Sequence, residues 1–182
     1  TSITTISFNT DGTKMYVAGT SSNALYQYTL NPAWDVSSAS YDNASVTPSW
    51  GGLFGHCFND DGSKLYLTRN SNSINASVNS YSLTSNWNIS TASDDNVRIV
   101  TVSQGGSICR GIAFNGDGSK LFVVGYANSN YHVFQYNLTS GFNLSTASYS
   151  NTSFQLQPNG AWGLYFSSDG SIMYSSDNGG SP

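Results

Sequence analysis

Glutamate is absent from this chain of 182 residues, and charged residues supply only 9% of it, against roughly a quarter in an average soluble domain. Long helices are built largely from Glu, Lys, Arg, Ala and Leu, so the shortage argues against them. The charges present are ten Asp, three Lys and three Arg, scattered along the chain for a net charge of −4. Without a basic cluster, neither nucleic acid nor an acidic membrane surface is expected as a partner. No apolar run approaches the ~20 residues that cross a bilayer as a helix, so no membrane span of that kind is expected. No signal-peptide pattern opens the chain, which begins at Thr1 rather than Met, as a processed product or a piece of a longer protein would. The two histidines, His56 and His132, have no partners at ligand spacing, so no zinc site is expected.

What is abundant is polar and uncharged. Ser, Thr and Asn fill 68 positions (33, 15 and 20), alongside 12 Tyr, 9 Phe and 4 Trp. A composition of this kind reads as all-β. Asn-x-Ser/Thr sequons occur at Asn43, Asn75, Asn88, Asn137, Asn143 and Asn151. They are compatible with glycosylation and an extracellular location, in a composition that would produce most of them by chance.

A unit of about fifty residues recurs. Four segments align: Ile6-Ser7-Phe8-Asn9-Thr10-Asp11-Gly12, His56-Cys57-Phe58-Asn59-Asp60-Asp61-Gly62, Ile112-Ala113-Phe114-Asn115-Gly116-Asp117-Gly118 and Leu164-Tyr165-Phe166-Ser167-Ser168-Asp169-Gly170. Asn or Ser suits the first position of a type I turn because its side chain can bond the backbone two residues on, and Gly tolerates the left-handed fourth position. Followed by an extended run, each is a tight hairpin. The second strand follows as Lys14-Met15-Tyr16-Val17, Lys64-Leu65-Tyr66-Leu67, Lys120-Leu121-Phe122-Val123 and Ile172-Met173-Tyr174-Ser175. Consecutive apolar positions, rather than alternation, predict a strand covered on both faces.

A third strand alternates more cleanly over 25–30, 78–83 and 133–138, each ending in Tyr-x-Leu. Trp34-Asp35-Val36-Ser37-Ser38-Ala39, Trp87-Asn88-Ile89-Ser90-Thr91-Ala92 and Phe142-Asn143-Leu144-Ser145-Thr146-Ala147 come next, each a plausible plug over the outer blade edge. A weaker fourth strand lies near 45–47, 97–102 and 153–156, with Asp35, Asp42, Asp94 and Asp95 in outer loops. Four strands per unit with no helical pattern between them predict an all-β fold, a β-propeller of four-stranded antiparallel blades. About three and a half blades are present: residues 1–50, 51–105 and 106–158, then the first hairpin of a fourth, incomplete blade at 159–182. That count reads as a fragment of a longer propeller.

The Phe-[Asn/Ser]-x-Asp-Gly-x-Lys-x-[Tyr/Phe] pattern of the first three units resembles the hairpin of YVTN-type and TolB-like propeller repeats. The Trp-Asp-x-Ser-[Ser/Thr]-Ala segment is similar to repeats of phage-associated and secreted microbial propeller proteins. The resemblance covers nearly the whole chain and implies a fold rather than an activity, because such propellers serve many functions. The YVTN tetrapeptide survives only as Tyr16-Val17, and Trp34-Asp35 follows the third strand.

Regular positions read as scaffold. Asp11, Asp61, Asp117 and Asp169 occupy one equivalent turn, where turn chemistry outweighs a cation-binding ring of carboxylates. Asn59-Asp60-Asp61-Gly62 lacks the alternating ligands and closing Glu of a calcium loop. His56 fills the slot of Ile6, Ile112 and Leu164, as a hydrogen-bonded core residue would. A Cys57–Cys109 disulfide is one reading of the two cysteines; their unequal offsets in the repeat favour the other, two buried thiols. No catalytic, metal or cofactor residues are expected.

Positions that break the repeat are better candidates. Four residues before the inner-strand Phe stand Thr4, Phe54, Arg110 and Trp162, with Gly after the last three and Trp50 just upstream of Phe54. This is the entry to the innermost strand, near the mouth of a central channel. The aromatics there could simply fill gaps between blades. Arg110 is harder to explain that way, since a charge is seldom buried unpaired. Arg110, Trp162, Phe54 and Trp50 are therefore the candidate ligand-binding residues. The leading functional expectation is a non-catalytic binding module on an extracellular or virion surface, recognising a glycan or a protein surface. A sialidase-like glycoside hydrolase is the alternative, with acids supplied partly by further blades, since such chemistry generally needs paired carboxylates. A structural subunit of an extracellular assembly is a third, its partners being further blades of the parent chain or an oligomer.

Overall fold

The computed structural model describes residues 2–70, 75–101, 108–157 and 160–177. Strands β1 (Ile3–Phe8), β2 (Lys14–Gly19), β3 (Ala24–Thr29) and β4 (Ser40–Val46) form one up-and-down antiparallel sheet. A second sheet holds β5 (Leu53–Phe58), β6 (Lys64–Arg69), β7 (Ser77–Leu83) and β8 (Ala92–Val100). The third holds β9 (Cys109–Phe114), β10 (Lys120–Ala127), β11 (Asn130–Leu138) and β12 (Ala147–Gln155), and β13 (Ala161–Phe166) pairs with β14 (Met173–Asp177) in a fourth of two strands. The first strands of the four sheets, β1, β5, β9 and β13, line a central cavity of about 770 Å³. The molecule is a β-propeller of three and a half blades.

The repeated turn forms the way its residues dictate, with one exchange of roles. The Asn9 carbonyl accepts from the Gly12 amide at 3.2 Å, closing the turn. It is Asp11, not Asn9, that caps the amide two residues on, accepting from Thr13 N at 2.9 Å, while the Asn9 side chain reaches Lys14 N at 2.8 Å. Asp61, Asp117 and Asp169 repeat the Asp11 contact with Ser63, Ser119 and Ser171. The side-chain hydroxyls of Thr13, Ser63, Ser119 and, for Asp169, Ser167, followed by these amides, hold all four carboxyls below the ordinary Asp range, Asp169 at about 2.

The turn glycine has a second reason to be glycine. Gly62 is left-handed, with φ +72°, and a Cβ there would fall inside the Trp87 indole. The aromatic of each Trp/Phe-[Asp/Asn] segment therefore folds onto its own blade's hairpin turn, not over the blade edge. It also meets the inner-strand Phe, with ring centroids 5.5, 5.1 and 5.2 Å apart for Phe8–Trp34, Phe58–Trp87 and Phe114–Phe142. The residue after it caps a short 3-10 turn: Asp35, Asn88 and Asn143 accept from Ser37, Ser90 and Ser145.

Blades are joined by the same aromatics. Tyr16 of β2 stacks on Phe58, 4.5 Å away, and donates its hydroxyl to the Trp87 carbonyl of the second blade at 2.5 Å. Tyr66 of β6 does the same one blade later, against Phe114 and the Phe142 carbonyl. Phe122 of β10 packs on Phe166, 4.6 Å away, without a hydroxyl. On the faces that no described blade covers, Trp34 is 60% exposed, Tyr165 66% and Tyr174 53%.

The outer strands depart from expectation. Asp42, Asp94 and Asp95 lie within β4 and β8, which begin at Ser40 and Ala92, well before the apolar residues that signal them. The register shifts in β4, β8 and β12 coincide with left-handed Asn43, Asn96 and Asn151 (φ 54°, 55° and 58°), residues that tolerate this conformation. The bulge turns Asp42 onto Lys14 at 2.8 Å and Asp95 onto Lys64 at 2.9 Å. Ser80 and Ser82 also donate to Asp95, at 2.6 and 2.5 Å.

Candidate functional site

Thr4, Phe54, Arg110 and Trp162 are the second residues of β1, β5, β9 and β13, and the structure gathers three of them. Glycine makes this possible. A Cβ on Gly55 would strike the Arg110 carbonyl, and one on Gly111 would stand 2.9 Å from Leu164 N. Bare backbone at these positions lets neighbouring inner strands approach closely. Thr68 of β6 secures the approach, accepting from Gly55 N at 2.7 Å and donating to the Arg110 carbonyl at 2.8 Å.

The result is an aromatic cage around one cation. The Arg110 guanidinium carbon lies 5.3 Å from the Phe54 ring centroid, 5.1 Å from Trp162 and 4.9 Å from Tyr131 of β11. Each distance is within the range of cation–π attraction. Phe54 and Trp162 meet edge-to-face at 5.3 Å. Burial pulls the Arg110 pKa below its ordinary value, with Tyr131 opposing. Its Nη1 donates to the Ala161 carbonyl at 3.4 Å, and its Nε is buried with no partner among the described residues. Trp162 Nε1 is in the same condition.

Trp50 stands outside the cage. Its ring receives Arg69, 5.9 Å from the centroid, and its carbonyl accepts from Asn23 at 3.1 Å. Arg69 was not among the residues singled out by sequence, although it breaks the repeat as Arg110 does: Gly19, Arg69, Gly125 and Asp177 share one slot. It pairs with Leu53, next to Phe54, and its Nε is also buried without a partner among the described residues, as is Asn70 Oδ1. Thr4 donates to the Ala18 carbonyl at 3.4 Å and touches no cage residue through a described hydrogen bond or ring contact.

The remaining candidates are placed as follows. His56 is buried, its Nε2 2.6 Å from Ser7 Oγ, and burial lowers its pKa to about 3, so it is neutral at physiological pH. His132 stacks on Phe134 at 5.8 Å. Cys57 and Cys109 are free thiols, not a disulfide. Cys57 aligns with Ala113 and Cys109 with Leu53, four positions apart along neighbouring strands, which is ~13 Å of strand. Burial raises both thiol pKa values. Of the sequons, Asn43, Asn137, Asn143 and Asn151 are exposed, while Asn75 and Asn88 are half-buried. Among the described residues no group of three His, Cys, Asp or Glu could hold a metal.

No protein-family model and no curated protein matches the chain. Solved structures do match. A candidate 6-phosphogluconolactonase from Bacteroides uniformis is similar with a TM-score of 0.67 and 13% identity, over 95% of this chain and 46% of that one. The β-propeller domain of Cps50 (Swd1) from Myceliophteria thermophila gives 0.58 and 10%, over 96% and 50%. A chain of the nidogen/laminin complex gives 0.62 and 13%, over 96% and 56%. The chain thus spans about half the length of these proteins, and at such identities the likeness is one of fold.

Proposed function

We propose that this chain is a non-catalytic binding module of an extracellular or virion surface, recognising a glycan or a protein surface through the propeller face at the inner-strand entry. The observation that carries the reading is the Arg110 cage, where one cation and three aromatic rings meet with buried donors unpaired among the described residues. A scaffold gains nothing from donors left without partners, whereas a binding face uses them. The acids support a non-catalytic reading. The four turn carboxylates are held by their own turns, and Asp42 and Asp95 by lysines in the outer blade. Exposed sequons and the resemblance of the Trp-Asp-x-Ser-[Ser/Thr]-Ala segment to repeats of phage-associated and secreted microbial propeller proteins suit an exported protein, and the nidogen/laminin neighbour suits a protein partner.

The test is an array of glycans and extracellular proteins probed with the chain and with R110Q. Saturable binding that R110Q abolishes and K120Q retains is expected. Binding indifferent to R110Q would refute the placement of the face. Turnover of a sialoside or polysaccharide, lost on changing one Asp, would refute the non-catalytic reading.

A further inference from the structure

We infer that the Arg110 cage takes a carboxylate, an inference that rests on the reading of this face as the binding face. Ring faces pack around the guanidinium, which leaves hydrogen bonding to its N–H edge. On that edge Nη1 makes one long bond, to the Ala161 carbonyl, and Nε makes none. The buried indole N–H of Trp162, whose ring packs on Arg110, is a second unused donor. Arg and Trp side-chain nitrogens only donate. Asn70 Oδ1, and His56 Nδ1 when Nε2 carries the proton, are the buried acceptors left open among the described side chains. The site therefore complements a group that accepts several hydrogen bonds.

That group is also negative. The two ion pairs among the described residues are Lys14–Asp42 and Lys64–Asp95, both in outer sheet positions. Asp11, Asp61, Asp117 and Asp169 sit at the far ends of the inner strands, seven residues beyond the cage position in every blade. Asp177 joins the sheet opposite Ala161, beside the cage. Arg110 makes no ion pair among the described side chains, and a half-buried charge without a counter-charge is costly. One caged cation balances one negative charge, which fits a carboxylate better than a phosphate dianion. A carboxylate is also planar and offers two oxygens to the edge of a guanidinium. Acidic sugars and acidic peptide side chains both carry this group.

The experiment is calorimetric titration of the intact chain with glucuronate and with N-acetylaspartate, against glucuronamide and inorganic phosphate. Saturable binding of one or both acids is expected, at least about tenfold tighter than glucuronamide, with R110Q losing at least about tenfold. W162F, which keeps an aromatic ring and loses the N–H, should weaken binding about threefold to tenfold. Binding of one acid alone would identify the source as saccharide or peptide. Acid and amide binding equally, phosphate binding more tightly, or neither acid binding would overturn the inference. Equal binding of acid and amide that W162F weakens would remove the carboxylate while leaving the face a binding face. The acid–amide comparison on the unmodified chain decides the matter even where R110Q fails to fold.

Discussion

Replacing Tyr66 with phenylalanine isolates the contact that ties one blade to the next. The ring is kept, with its 4.7 Å approach to Phe114. What goes is the hydroxyl that donates to the Phe142 carbonyl. A sheltered acceptor left without its partner costs about 1 to 3 kcal/mol. In a domain of this size each kcal/mol moves Tm by roughly 2–4 °C, so Y66F should melt ~2–12 °C lower. Urea unfolding should show a lower midpoint at an unchanged slope. Alkali supplies a second readout. Burial, with smaller contributions from Cys57, Asp95 and Asp61, raises the Tyr66 pKa well above the ordinary value of 10.0. The folded chain then keeps a proton that the unfolded chain releases once the pH passes about 10. That stability is fully present below pH ~10 and drains away above it, at about 1.4 kcal/mol per pH unit. Y66F lacks it, so the stability gap between the two proteins should close as pH rises from 10. Equal melting temperatures at pH 7, or parallel losses in alkali, would refute the argument.

Two other substitutions separate effects that the structure keeps apart. G170A meets nothing within 4 Å and should cost only the left-handed penalty, about 1 to 2 kcal/mol, whereas G62A must also displace the Trp87 ring and should cost ~3 kcal/mol or more by urea unfolding. Similar losses for the two would contradict the packing of the indole on the turn. Burial pushes the Asp95 pKa up, but hydrogen bonds from Ser80, Ser82 and Lys64 together outweigh it and hold the carboxyl below its ordinary value. Its contribution is present above pH ~4 and lost as pH falls through the lowered value. D95N should therefore cost about 1–3 kcal/mol at pH 7 and fall less steeply in acid than the parent, as followed by tryptophan fluorescence. A D95N protein as stable as the parent at pH 7 would refute this.

Much of this architecture is legible in the sequence because the backbone repeats its demands. Each hairpin needs Asn or Ser, then Asp-Gly, at fixed offsets, and each buried second strand needs an apolar run, so both recur visibly. The outer strands are obscured by their own chemistry. Asp42-Asn43 and Asp95-Asn96 look like loop because the bulge wants an amide residue in left-handed geometry and the lysine wants an acid. The position of the cage was readable as a break in the repeat at Phe54, Arg110 and Trp162. Its third wall, Tyr131, was not, since a tyrosine in a strand is unexceptional until the strand is placed. Arg69 sat in plain view, in a slot held by glycine in the blades on either side.

The tyrosine-to-carbonyl bond between blades gives the molecule a direction. The second sheet accepts on one face, at the Trp87 carbonyl from Tyr16, and donates on the other, from Tyr66 to the Phe142 carbonyl. Such a junction is heterologous: two identical copies cannot satisfy it by meeting face to face about a two-fold axis, and it can end only by closing a ring or by running on. Because each such junction involves only adjacent sheets, a blade can be gained or lost by duplication or deletion of one repeat without rewriting the other junctions. The number of blades is then set by the angle between sheets and the space left at the axis, and the sequence of one junction says nothing about it.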